Sequence, residues 1–332
     1  MKMEGVQRYV ATPGFLQALE LPKDTKIELF NLGQGEYNAN FWFVHPRTGQ
    51  KLVLRINTGS QMHLEDQIVY EFEALRHLAP SGRTPRALFY DDSRKSIPYG
   101  VLVMEWLPGR SLRYETDLPV AAEILADIHS LPVPTQGRML QPEFPLLAMY
   151  EECQQLAQRY LTWENASAPT ATRLEKMVEQ MGCLPLKEPM QMPPTVISTE
   201  LNSGNFLINP EGHSYLVDWE KPILGEAAQD LAHFLAPTTT FWKTDLLLTS
   251  QQMEEFVEQY RTAVKGRMDL SALSHRLALY LKMNCLRGIS WCAMAAVEYG
   301  QPGRAIQNAD TKRKLEQYLS PAFMDHIQHT YL

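Results

Sequence analysis

Short apolar runs separated by turns dominate the first hundred residues. Phe41-Trp42-Phe43-Val44, Leu52-Val53-Leu54-Arg55-Ile56 and Tyr99-Gly100-Val101-Leu102-Val103-Met104 are rich in β-branched and aromatic side chains, and His45-Pro46-Arg47-Thr48-Gly49 separates the first two. This pattern predicts strands. Leu64, Ile68, Phe72, Leu75 and Leu78 recur instead at spacings of three and four, one apolar helical stripe that Pro80 and Gly82 end. The predicted order is strand, strand, helix, strand, followed by Leu107-Pro108-Gly109 as a linker.

Beyond the linker the period changes to that of helices. Val120, Ile124, Leu125, Ile128 and Leu131 share one face of a helix closed by Pro132 and Pro134. Further helical periodicity covers roughly 145–163, 172–182, 251–265 and 270–298. One β feature interrupts it. Phe206-Leu207-Ile208 and Tyr215-Leu216-Val217 flank Asn209-Pro210-Glu211-Gly212, the signature of a type I turn, and so predict a hairpin. Thr238-Thr239-Thr240-Phe241-Trp242-Lys243 reads as a surface loop with one packed aromatic.

Composition narrows the class. The 332 residues are 45% hydrophobic and 21% charged, an ordinary globular balance, and no apolar run reaches the roughly 18–20 residues needed to span a bilayer. The start, Met1-Lys2-Met3-Glu4-Gly5, lacks the apolar stretch of a signal peptide. The net charge of −7, with no basic run, argues against a nucleic-acid partner. Residues 1–109 carry 12 acidic and 12 basic side chains, so all the net acidity falls in 110–332. Cys153, Cys183, Cys285 and Cys292 fit no metal spacing and suit a reducing compartment, the cytoplasm.

The chemistry gathers around the predicted hairpin. A hairpin sets its two ends side by side, so Asn205 before it and Asp218 after it are expected within reach of one ion. An amide oxygen and a carboxylate oxygen are hard ligands suited to Mg²⁺. Glu200, five residues before Asn205, is placed to orient or deprotonate a hydroxyl.

Residues 196–236 resemble the catalytic core of the aminoglycoside phosphotransferase/choline kinase superfamily, relatives of the protein kinases. That family reads His-x-Asp-x-x-x-x-Asn, a hairpin, an Asp and a downstream Asp-Leu-Ala; Asn205, Asp218 and Asp230-Leu231-Ala232 match it here. The resemblance extends over roughly 25–300. It implies an α+β, two-lobed protein-kinase-like fold, a β-rich N-terminal lobe over 1–107 and a mostly helical C-terminal lobe over 108–332, with Mg-ATP bound between lobes. It further implies that Gly33 and Gly35 cover phosphates, that Arg55 stands at the β3 cation with Glu71 as its partner, and that the backbone of Glu105, Trp106 and Leu107 holds the adenine. Asp230 is expected to hold the 198–205 loop by hydrogen bonds.

Two positions depart from the family pattern: its catalytic Asp is Glu200 here, and its His is Ser198. The added methylene moves the carboxylate by roughly 1 Å, a shift that can cost about 10²-fold in rate. Two readings stay open. One is a phosphotransferase that moves the γ-phosphate of ATP to a small-molecule hydroxyl, on a cationic acceptor such as an amino sugar or amino alcohol, which the acidic second part suits. The other is a nucleotide-binding pseudokinase or regulator.

Overall fold

The computed structural model describes residues 3–35, 37–134, 137–301 and 309–332. In chain order the elements run α1 (Met3–Val10), α2 (Pro13–Ala18), β1 (Phe30–Gln34), β2 (Asn38–Val44), β3 (Lys51–Asn57), α3 (Gln67–Leu78), β4 (Ala87–Asp91), β5 (Gly100–Glu105) and β6 (Arg110–Ser111). They continue with α4 (Leu118–His129), α5 (Pro145–Leu161), α6 (Ala168–Gly182), β7 (Pro194–Ile197), β8 (Phe206–Ile208), β9 (Tyr215–Leu216) and β10 (Ile223–Glu226). The remainder is helical: α7 (Ala227–Leu235), α8 (Pro237–Thr244), α9 (Ser250–Val264), α10 (Leu273–Gly300), α11 (Ala309–Tyr318) and α12 (Pro321–Tyr331). The architecture is α+β, and the chain divides into two units. One comprises Met1–Leu112, Pro134–Met139 and Asn205–Pro222, the other Arg113–Val133, Leu140–Gly204 and Ile223–Leu332.

The first unit is built on an antiparallel sheet in the order β1-β2-β3-β5-β4. Alternation along β3 sends Leu52, Leu54 and Ile56 to one face and Val53, Arg55 and Asn57 to the other, all of them buried. The first face packs with Phe41, Phe43, Val101 and Val103 against Tyr9, Val10, Phe15 and Leu16 of α1 and α2, a closed apolar cluster. The second face carries α3. Phe72 of that helix packs on Tyr90 with ring centroids 4.6 Å apart, and a Cβ at Gly100 would stand 3.0 Å from Ile68. The same unit takes up the β8–β9 hairpin, with β6 paired to β8. Gly109 belongs to this contact: at φ +146 it approaches the backbone of Leu207 so closely that a Cβ would lie 2.8 Å away.

The second unit is helical apart from the β7–β10 pair. Its longest element, α10, packs on α5 and α7. Gly288 in α10 allows close approach to α8, where a Cβ would fall 2.4 Å from Thr238. A fully buried ionic group lies beside these helices. Glu226 accepts from the backbone N–H groups of Gln191 and Met192, at 2.8 and 3.0 Å, and from Arg276 Nη2 at 2.5 Å. Tyr280 completes it with a hydrogen bond to the same carboxylate.

Most of the long periodic segments form where the sequence places them, as α4, α5, α6, α9 and α10. Helix α3 starts at Gln67 rather than Leu64, because the Ser60 hydroxyl accepts the Leu64 N–H and holds that residue in the preceding turn. Residues 238–243 are not a loop but most of α8. Pro237 opens that helix at its first position, and Trp242 packs edge-on against Trp291 (5.3 Å) and Tyr318 (5.6 Å).

Candidate active site

The first unit brings three predicted residues into one ion cluster. Strand β3 presents Arg55 opposite Asn40 on β2, and α3 carries Glu71 to the same face. Arg55 Nη1 donates to Glu71 Oε1 at 2.6 Å, Nη2 to Asp218 Oδ1 at 3.1 Å, and Nε to Asn40 Oδ1 at 3.0 Å. Burial works against the charge on this guanidinium; Glu71 and then Asp218 outweigh it and hold the group firmly charged. Burial pushes the Glu71 carboxyl up, with Arg55 opposing. The second oxygen of Glu71, Oε2, is buried without a hydrogen-bond partner. Asp218 differs in exposure, its side chain being 40% accessible against 1% for Glu71.

The hairpin brings its ends together as its sequence predicts. Asn209 and Gly212 close the turn at 3.3 Å, Phe206 pairs with Leu216, and the Val217 N–H donates to the Asn205 carbonyl at 2.8 Å. Asp218 follows at once with φ +70, a left-handed backbone that non-glycine residues seldom adopt. The segment after it is tied to the sheet face and α3. Asn38 donates to Glu220, Gln67 donates to the Glu220 carbonyl at 2.7 Å, and the Tyr70 hydroxyl donates to the Pro222 carbonyl at 2.6 Å. Asn205 and Asp218 supply an amide and a carboxylate oxygen, donors that fit a hard divalent cation. Among the described residues no group of three or more His, Cys, Asp and Glu side chains forms a ready-made metal cage. That donor set suits Mg²⁺, which is usually shared between one or two carboxylates and the substrate's phosphates.

The same sheet face continues away from Arg55 through Val53, paired with Trp42 and Met104, to the strand end at Glu105. The Glu105 N–H is engaged by the Arg86 carbonyl (2.9 Å) and the Trp106 N–H by the Lys51 carbonyl (3.3 Å). The Glu105 side chain pairs with Arg86 at 3.3 Å. Trp42 stacks on Phe30 at 4.4 Å, and the Lys51 ammonium lies 5.1 Å from the Trp42 ring and 4.7 Å from that of Trp106. Gly33 lies within β1 opposite Asn40, and the Gly35 N–H donates to the Asn38 carbonyl at 2.8 Å. A Cβ at Gly33 would meet nothing, so its place on this arm is not forced by packing.

The second unit holds the Glu200 loop from two sides. Asp230 of α7, fully buried, accepts the backbone N–H groups of Ser198 and Thr199, each at 2.8 Å, and lies 3.4 Å from His129 Nε2. His129 in turn meets the Tyr260 hydroxyl at 3.1 Å. These partners satisfy a buried carboxylate that would otherwise be costly. Thr199 is held at φ +66. From α10, Arg287 donates to the Thr199 carbonyl at 3.1 Å and stands 3.9 Å from Glu200 Oε1. Sequence reasoning anticipates the hold by Asp230. It does not find Asn40, Asn38, Glu220, His129 or Arg287; the Asp-Trp-Glu triplet at 218–220 is the one visible hint, for Glu220.

The model of the phosphotransferase enzyme family (APH) matches residues 29–270. No curated protein matches the chain. Among solved structures, an amicoumacin kinase in complex with AMP-PNP and Ca²⁺ is similar at 13% identity, over 98% of this chain and 94% of that one, with TM-score 0.65. An ethanolamine kinase of Plasmodium vivax is similar at 14% identity, over 96% of this chain and 88% of that one (TM-score 0.62). A choline kinase from Streptococcus pneumoniae is similar at 17% identity, over 90% and 94% (TM-score 0.57). At such identities the likeness is one of fold.

Proposed function

The chain belongs to the phosphotransferase enzyme family, and on that premise we propose that it is an ATP- and Mg²⁺-dependent kinase acting on a hydroxyl of a small molecule. The observation that carries this reading is the Arg55 fork, shared between a buried Glu71 and a half-exposed Asp218. A cation so held, with its Asp partner open to solvent, suits phosphate beside a metal better than it suits a purely structural ion pair.

In this reading the backbone from Glu105 to Leu107 holds the adenine, against the apolar surface of Val53 and Met104. The arm carrying Gly33 and Gly35 covers the phosphates, and Arg55, oriented by Glu71 and Asn40, contacts them. Asn205 and Asp218 hold Mg²⁺, which when bound neutralises charge on the transferring phosphate. Glu200 orients the acceptor: its carboxylate takes the hydroxyl proton as the hydroxyl oxygen bonds to the γ-phosphorus and ADP departs. The acceptor class we favour is an amino sugar or amino alcohol. The acidity of residues 110–332 supports it, as do ethanolamine and choline kinases among the similar folds.

The replacement of the family's Asp by Glu200 supports the second reading, a nucleotide-binding regulator without transfer. Calorimetric titration with ATP, with and without Mg²⁺, followed by an acceptor screen, separates the two. The kinase reading expects magnesium-dependent binding that Asp218→Ala abolishes, and transfer to at least one acceptor. Binding without transfer to any acceptor or to water favours the regulator; no binding at all overturns both.

A further inference from the structure

We propose that Arg287 is the positioning residue for Glu200, fixing the longer side chain that stands where the family carries Asp; the proposal rests on the phosphotransferase reading above. Glu differs from Asp by one methylene and one more rotatable bond, so a catalytic Glu needs an anchor that a catalytic Asp does not. The guanidinium of Arg287 offers that anchor in a single plane. Its Nε and Nη2 donate to Glu152 of α5 at 3.1 and 3.3 Å. Its Nη1 donates to the Thr199 carbonyl at 3.1 Å and lies 3.4 Å from His233 Nδ1. Nη2 stands 3.9 Å from Glu200 Oε1.

One side chain therefore grips the backbone immediately before Glu200 and faces its carboxylate. The Thr199 N–H is fixed by Asp230 and its carbonyl by Arg287, so both peptides flanking this left-handed residue are held. The direction in which Glu200 leaves the chain follows from that. The charged and titratable groups around Arg287 come from three elements: Glu152 and Cys153 from α5, His233 from α7, and Glu200 from the loop. Burial works against the guanidinium's charge, and Glu152 first and Glu200 next outweigh it. Glu152 takes the two direct bonds, so the grip on Glu200 is set by competition between two carboxylates for one fork.

The test is a double-mutant cycle read beside crystal structures. Arg287→Met is expected to lower kcat by roughly ten- to hundredfold while the Kd for Mg-ATP stays within about twofold, and Arg287→Lys to recover part of the loss. In a Glu200→Gln background the Arg287→Met change should cost less than about threefold more, because the group it positions is already disabled. Structures of the wild type and Arg287→Met should show Glu200 in one rotamer and in several, respectively. Glu152→Gln, which spares the arginine, should bring Nη2 to hydrogen-bond distance of Glu200 and keeps the test decisive should Arg287→Met not fold. Equal losses in both backgrounds, or an unmoved Glu200 rotamer in Arg287→Met, overturn the proposal. If the wild type transfers phosphate to no acceptor or water, the phosphotransferase reading falls, and the rotamer comparison still decides whether Arg287 positions Glu200.

Discussion

A guanidinium presents its donors in a fixed plane, and at Arg55 each of the three nitrogens has an acceptor on a different element: Asn40 on β2, Glu71 on α3, and Asp218 after the hairpin. A lysine ammonium at the same place would be a point charge that leaves Asn40 unpaired and cannot span both carboxylates in that geometry. Losing one charge-assisted hydrogen bond costs about 1.5–3 kcal/mol. Arg55→Lys is therefore expected to weaken Mg-ATP binding by roughly ten- to hundredfold, read by calorimetry; unchanged affinity would show that the fork is dispensable. The partnership of Arg55 and Glu71 is legible in the sequence through the family resemblance, which implies a strand cation paired with a carboxylate on the following helix. The third partner is not. Asn40 reaches Nε through the β2–β3 register, which no local pattern announces. Arg287 and Glu152 are equally silent, being joined across 135 positions by packing of α10 on α5.

Among whole elements, length decides what the sequence discloses. The 17 residues of α5 and the 28 of α10 carry enough turns to display a stripe. Helix α1 has eight residues, α2 six, and each strand of the β7–β10 pair four, too few for periodicity to stand out. Helix α2 opens on Thr12-Pro13, a cap whose hydroxyl accepts the Phe15 N–H. Two polar contacts tie α1 to the rest of its unit: Gln7 donates to the Ile27 carbonyl at 2.7 Å, and the Tyr9 hydroxyl donates to Asp91 Oδ2 of β4 at 2.9 Å. Burial would raise the Asp91 carboxyl, but hydrogen bonds from Ser93 and Tyr9 outweigh it and hold the group below its usual range. A depressed folded value means stability that is fully present above the unfolded pKa of about 3.9 and is lost as pH falls through the folded one. Asp91→Asn should accordingly lower the urea midpoint at pH 6, with the gap from wild type closing toward pH 3. A gap of the same size at pH 3 would remove this pair as its cause.

At the scale of the molecule, the α+β organisation was legible from the switch in period near residue 109, whereas the membership of each unit was not. Residues 134–139 and 205–222 join the first unit through tertiary contacts, far from its other residues in sequence. Arg55, Glu71, Asn205 and Asp218 all fall within that unit, so its melting, rather than that of the helical unit, should respond to Mg-ATP. A ligand at about 100 times its Kd adds about 2.7 kcal/mol, a rise of roughly 10 °C for a unit of this size melting on its own. Calorimetric scans with Mg-ATP should show that rise in one transition and lose it on adding EDTA; a rise confined to the helical unit would place the nucleotide elsewhere.

The late arrival of the hairpin also bears on how the protein is made. Synthesis proceeds from the N-terminus at about 5–20 residues per second, so the roughly 110 residues between Leu112 and Pro222 take on the order of 5–20 s to emerge. Throughout that interval the Leu216 N–H that donates to the Arg83 carbonyl, and the Pro222 and Glu220 carbonyls that accept from Tyr70 and Gln67 of α3, have not yet been made. The first unit to leave the ribosome is thus completed only after much of the second has been made, and the wait exposes an unfinished surface to chaperones and proteases.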